Sequence, residues 1–212
     1  LVSCMAELGH LAAALRTAKG IGNNASCAEA LAGLAPHLTA EQLEEALRIA
    51  EGIEDSDSRA EALTGLAPHL TAEQLEEALR TARGIEDGDP RAQTLAGLAP
   101  YLTAEQLQEA LRTVRGIEDG SSRAQALARL ASRMAELGQL EEALRTAQGI
   151  EDSSSRAQAL AGLGPHLVQL PLDGLHTAFC EMLPVLASRT RSDLLSDLLA
   201  LAAVISRLGG GS

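Results

Sequence analysis

A block of 32 residues is written three times in succession, and a fixed period of that length constrains this chain more than any other feature. Leu38–His69 reads LTAEQLEEALRIAEGIEDSDSRAEALTGLAPH, and Leu70–Tyr101 repeats 24 of those 32 letters. The block from Leu102 follows the same template, and looser versions run toward both ends. Such a unit cannot bury its apolar face alone, so it must stack on its neighbours. The expected architecture is therefore an all-α, right-handed α-solenoid of about five helix-turn-helix repeats.

Each unit reads as two helices. In the copy starting at Leu70, Thr71-Ala72-Glu73-Gln74 is a capping box, which satisfies two otherwise orphaned backbone amides. Leu75, Ala78, Leu79, Ala82 and Ile85 then form one apolar stripe at helical spacing. Gly84 ends that helix. Glu86-Asp87-Gly88-Asp89-Pro90 follows as a turn, with proline tolerated in the first turn of the next helix. Ala92, Leu95, Ala96, Leu98 and Ala99 form the second stripe, and Pro100 stops or bends it. The box recurs at Thr39 and Thr103.

Composition explains how such helices pack. The chain has no Trp, one Tyr (Tyr101) and one Phe (Phe179), so its 46% hydrophobic content must form a core of small aliphatic side chains. The formal net charge is −12, with Lys19 the single lysine among 17 basic residues. Phosphate neutralisation requires a basic stripe, so a nucleic-acid role is disfavoured, as is binding to an anionic membrane surface. Cys4, Cys27 and Cys180 are widely spaced and odd in number, which fits a reducing cytoplasm better than a disulfide framework. No apolar run reaches membrane-spanning length. The start at Leu1 and the tail Gly209–Ser212 read as a fragment ending in a linker.

Beyond the third copy the pattern changes. The proline and capping threonine disappear, and Met134-Ala135-Glu136-Leu137-Gly138-Gln139-Leu140-Glu141-Glu142-Ala143-Leu144 forms the junction of a unit of 33 residues. Cys4–Leu11 has the same form, which makes residues 1–21 a partial repeat. Residues 22–168 are then the tandem repeats, and 169–208 an atypical C-terminal cap. That cap reads as two longer helices over residues 172–208. The second opens with a box formed by Thr190 and Asp193 and carries a wide apolar face of Leu194, Leu195, Leu198, Leu199, Leu201 and Ile205.

Leu137-Gly138-x-Leu140-x-x-Ala143 resembles the tetratricopeptide repeat at the turn between its helices. The phrase EEALRTARGIED…SRAQALAGLAPHL resembles the C-terminal superstructure-forming repeats of bacterial STAND-type (NACHT or AP-ATPase-like) signalling NTPases, and Leu183–Leu195 is similar to the segment closing such arrays. The resemblance implies a sensor region that recognises a protein or peptide, with its ATPase module elsewhere. No GxxxxGK[ST] loop occurs in this sequence.

Recurrent charges define the remaining candidates. Glu54/Asp55, Glu86/Asp87, Glu118/Asp119 and Glu151/Asp152 stand where a second helix begins, so capping, at about 0.3–1 kcal/mol each, outweighs a cation-binding ladder. Arg16, Arg48, Arg80, Arg112 and Arg145 form one ladder, and Arg59, Arg91, Arg123 and Arg156 another. Solvated ion pairing is favoured for both over a basic groove, with Glu44–Arg48, Glu76–Arg80 and Glu141–Arg145 in the better i,i+4 order. His37, His69 and His166 share a repeat position, too far apart to converge on a metal. His10 and His176 stand alone.

No catalytic motif is present and no cofactor is implied. If the tetratricopeptide pattern holds, Glu29, Glu61, Gln93, Gln125 and Gln158 line a concave groove suited to an extended peptide. Ala32, Thr64, Ala96, Ala128 and Ala161 form the next row. Arg129 interrupts the row of Gly33, Gly65, Gly97 and Gly162, which reads as partly exposed, with room for a long side chain in the fourth unit or a local shift around Arg129. The expected function is a non-enzymatic protein-interaction scaffold. Self-association through the partial first repeat, or a designed or consensus array, are the alternatives.

Overall fold

The computed structural model describes residues 11–209. Residues 1–10 of the partial first repeat, with Cys4 and His10, and Gly210–Ser212 lie outside those residues. Among the described residues the chain forms thirteen α-helices and no strand. They are α1 (Leu11–Lys19), α2 (Asn24–Leu34), α3 (Ala40–Glu51), α4 (Ser56–Leu66), α5 (Ala72–Arg83), α6 (Gly88–Leu98), α7 (Ala104–Arg115), α8 (Gly120–Glu136), α9 (Leu140–Gln148), α10 (Ser153–Val168), α11 (Leu172–Ala187), α12 (Arg191–Ala200) and α13 (Ala202–Leu208). The chain divides into two compact units, Leu1–Thr113 and Val114–Ser212.

In the first unit, α3, α5 and α7 begin at threonine caps and the even-numbered helices at Asn23, Asp55 or Asp87. The capping boxes form as the sequence requires. The amides of Gln42 and Gln74 donate to the hydroxyls of Thr39 and Thr71, while each glutamine side chain accepts from the threonine amide. Thr103 and Gln106 repeat both bonds. The box glutamine does something more. Gln74 Nε2 donates to the Ala40 carbonyl at 2.7 Å, and Gln106 Nε2 to Ala72 at the same distance. One side-chain amide thus closes its own cap and ties its helix to the start of the odd helix one repeat earlier.

The even helices stack through small residues: α2 lies on α4, and α4 on α6. A Cβ built on Gly65 would collide with Ala32 Cβ, and one on Gly97 with the Thr64 methyl. Glycine is therefore demanded at these two positions by close helix approach. After each even helix the prolines convert the chain to a single 3-10 turn, Ala35–His37, Ala67–His69 and Ala99–Tyr101, because proline supplies no amide for the α-helical ladder.

In the second unit α8 packs on α10 and α10 on α12, while α9 packs on α11. With no proline, α8 runs unbroken to Glu136. It ends in a Schellman motif: Gly138 has φ +79°, its amide donates to Ala135, and the Gln139 amide donates to Met134. Here Gly162 faces Ser132 Oγ, one turn further along α8 than Ala128, the counterpart of Ala32.

The cap differs from expectation. It contains three helices rather than two, because the second segment breaks at Leu201 (φ −94°, ψ 14°). The break redirects α13 so that Val204 is buried and α13 packs on both α10 and α11. Counted from its cap at Thr190, α12 also follows the register of the even helices. Leu201 is fully buried and corresponds to Leu34, Leu66, Leu98, Leu130 and Leu163, all equally buried. The cap thus begins as a divergent helix pair, with α11 on α9 and α12 on α10.

Candidate interaction surface

The recurring charges resolve into distinct duties. Asp55, Asp119 and Asp152 each cap a helix by accepting from the amide three residues on, that of Ser58, Ser122 and Ser155 at 2.6–2.8 Å. These serine bonds hold all three carboxyls below the ordinary aspartate range. Asp87 departs from the expectation. It makes no side-chain cap, because the residue three places on is Pro90, which has no amide hydrogen. The paired glutamates do not cap either. Glu54, Glu118 and Glu151 offer backbone carbonyls to arginines, and the Glu151 carboxylate reaches Arg123 at 3.6 Å.

The arginine ladders are not equivalent. Arg59, Arg91, Arg123 and Arg156 each donate to the carbonyl of the isoleucine six residues back, Ile53, Ile85, Ile117 and Ile150, at 2.6–3.2 Å. This corrects the expectation of solvated pairing, since a helix ends just before each isoleucine and leaves its last carbonyls unpaired. An arginine in the first turn of the following helix is placed to reach back and close the turn. The other ladder keeps its solvated character. Glu44–Arg48 is the i,i+4 pair of the three that closes among the described residues, at 3.9 Å with both side chains exposed.

Arg156 carries a second duty that sequence reasoning missed. It is fully buried, and its Nε donates to both oxygens of the fully buried Asp197 at 3.1 and 2.9 Å. Its Nη1 binds the Ile150 and Glu151 carbonyls, and Asp193 stands 3.9 Å from Nη2. Asp193 and Asp197 lie one turn apart on α12, so its inward stripe is anionic where leucine was expected. The apolar face is turned accordingly. Leu201 is buried and Leu194 and Leu198 are half-buried, whereas Leu195 is 58% exposed, Leu199 77% and Ile205 37%. The signal that could have shown this was a buried-position match, since Asp197 falls in register with Ala62, Thr94, Ala126 and Ala159, all buried.

The proposed groove row is exposed throughout. Glu29, Glu61 and Gln93 are solvent-facing in the first unit, and Gln125 and Gln158 in the second. Each is the sixth residue after its helix cap, so the register of the even helices places it. Thr64 is half-buried. Its hydroxyl donates to Ala60 and Glu61 carbonyls and its methyl abuts the Gly97 position, so it serves packing. Arg129 is exposed, whereas Gly65 and Gly97 of the same row are half-buried.

His37 and His69 are exposed at the 3-10 turns, and His166 is half-buried within α10. His176 lies 3.7 Å from Cys180 on α11. No group of three or more metal-ligating side chains converges among the described residues. There, too, no helix is long and apolar enough to cross a membrane. Burial raises the Cys27 thiol above its ordinary range. Neither a protein-family model nor a curated protein matches the chain.

Proposed function

We propose that the chain is a non-enzymatic protein-interaction scaffold, a tetratricopeptide-like right-handed α-solenoid whose even helices present an extended peptide-binding face. One observation carries this reading. The same register position is an exposed hydrogen-bonding side chain in five successive even helices: Glu29, Glu61, Gln93, Gln125 and Gln158. In the first unit those helices are drawn together at glycine. The tighter row of a curved helical stack is its inner row, and inner rows of such arrays hold extended ligands.

The resemblance to STAND-type sensor repeats makes the ligand a protein or peptide trigger, with bacterial cytoplasm as the setting. The amide-rich row suits a peptide backbone, whose donors and acceptors alternate along its length. A displayed peptide library panned on the chain tests the assignment. Binders should be lost when Glu29, Glu61 and Gln93 are changed together to Arg, with the helical circular dichroism unchanged. Selected peptides that bind this variant as tightly as the parent would sink the groove.

A further inference from the structure

Among the described residues, Asp55, Asp87, Asp119 and Asp152 each stand at the N-cap of an even helix. Asp55 and Asp152 are followed by serine, whereas Asp87 and Asp119 are followed by glycine. Glycine leaves the nitrogen after an aspartate open to the aspartyl side chain, because no Cβ stands in the way. Asp87 is exposed, and it differs from the other three in that its carboxylate accepts no cap bond. Gly88 is the first residue of α6, so its amide finds no carbonyl within the helix. An uncommitted carboxyl therefore stands beside an uncommitted backbone nitrogen.

Asp119-Gly120 is the same dipeptide in the same register, and its carboxylate is held. The Ser122 amide donates to it at 2.6 Å. That bond fixes the side chain over the helix start and keeps the carboxyl below the ordinary aspartate range. At Asp87 the corresponding donor is missing because Pro90 has no amide hydrogen. A further Asp-Gly pair, Asp173-Gly174, lies within α11, where any ring closure requires the helix itself to open.

We propose that Asp87 is a site of spontaneous covalent modification, at which the chain isomerises to isoaspartate. The Gly88 nitrogen attacks Cγ of the protonated Asp87 carboxyl and gives up its own proton, and the carboxyl hydroxyl leaves with a proton as water. The product is a five-membered succinimide. One water then adds back. Breaking the bond from nitrogen to Cγ restores aspartate, whereas breaking the bond to the backbone carbonyl carbon leaves the chain running through Cγ. One water is lost and one regained, and nothing is oxidised or reduced. The extended cap backbone (φ −70°, ψ 130°) is rotated away from the near-planar ring, so closure proceeds from an opened first turn of α6. A missing cap raises the population of that opened turn about fivefold. IsoAsp87 inserts a methylene into the backbone and displaces the carbonyl that accepts from the Arg91 amide at 3.2 Å. The helix thereby loosened is the one whose Gly97 closes on Thr64.

Peptide mapping of the full chain, aged at physiological temperature and mildly acidic pH, tests the proposal. Trypsin releases Gly84–Arg91 and Gly116–Arg123, two matched peptides that share the letters GIEDG. Electron-transfer fragmentation distinguishes isoaspartate from aspartate in each. In the folded chain isoaspartate should accumulate about fivefold faster at Asp87 than at Asp119. In concentrated urea the two rates should converge, because the cap is then absent from both. Pro90→Ser supplies the serine that follows the other three caps, and it should slow Asp87 to the rate of Asp119. Equal rates in the folded chain overturn the proposal, and so does a difference that persists in urea. A folded Pro90→Ser chain that isomerises like the parent does so as well.

Discussion

Removing the Asp197 carboxylate should unseat the C-terminal helices more than any surface change. Arg156 is fully buried and would keep its charge. In Asp197→Ala, Nε loses both acceptors, at 3.1 and 2.9 Å, and Nη2 retains only Asp193 at 3.9 Å. Breaking a buried pair from one side typically costs about 3–5 kcal/mol. The two carbonyls still held by Nη1 and the nearby Asp193 place this case at the lower end, about 3 kcal/mol. For a chain of this size that lowers Tm by roughly 6–12 °C. Removing both charges, as in Arg156→Met/Asp197→Leu, should cost less than the single change despite losing more hydrogen bonds. No buried ion is then stranded, and the remaining penalty is about 1–2 kcal/mol for the unpaired turn carbonyls. Urea unfolding followed by circular dichroism gives the totals. Hydrogen exchange should show the single variant opening first in α12 and α13. An Asp197→Ala penalty below about 1 kcal/mol would refute the reasoning. A double variant no more stable than the single would do so equally.

Three further outcomes follow from the repeats themselves. Gly97→Ala should destabilise by about 1–3 kcal/mol, because its methyl lands on Thr64, whereas Gly33→Ala, with open space around it, should be neutral or stabilise by up to about 1 kcal/mol in thermal melts. Gln74→Glu keeps an acceptor for the Thr71 amide but turns a carboxylate oxygen toward the Ala40 carbonyl, so urea titration should show a loss of about 1–2 kcal/mol. The depressed carboxyls of Asp55, Asp119 and Asp152 contribute stability that is complete above the unfolded-state value near 3.8 and is lost as pH falls through their lower folded values. Changing all three to Asn should flatten the acid limb of a Tm-versus-pH curve while leaving the helices capped.

The helices were legible because their signals are local. Thr39, Thr71 and Thr103 announce their boxes within four residues, and the apolar stripes follow at fixed spacing. Duties that depend on a neighbour were not. The second bond of Gln74 spans 34 positions, and nothing in one unit distinguishes it from an ordinary capping glutamine. Arg156 looked like Arg59 and Arg91, since only a partner from 41 positions away makes it a buried cation. The leucines of α12 suggested an inward apolar face for the same reason, as periodicity cannot reveal that aspartates one turn apart take the inner side. The groove row was placed by register and is exposed as that register requires. Thr64 beside it was consumed by packing against the next helix, which no single repeat displays.

The docking of α12 on Arg156 has a bearing on how an array of this kind changes length. Arg59, Arg91 and Arg123 occupy the same register and already hold the same isoleucine carbonyl. Each is a socket of the kind that Asp197 fills. A duplication or deletion of one whole repeat therefore still leaves an arginine of this register in the helix that precedes α12. The number of repeats can then change in single steps without a new partner for Asp197.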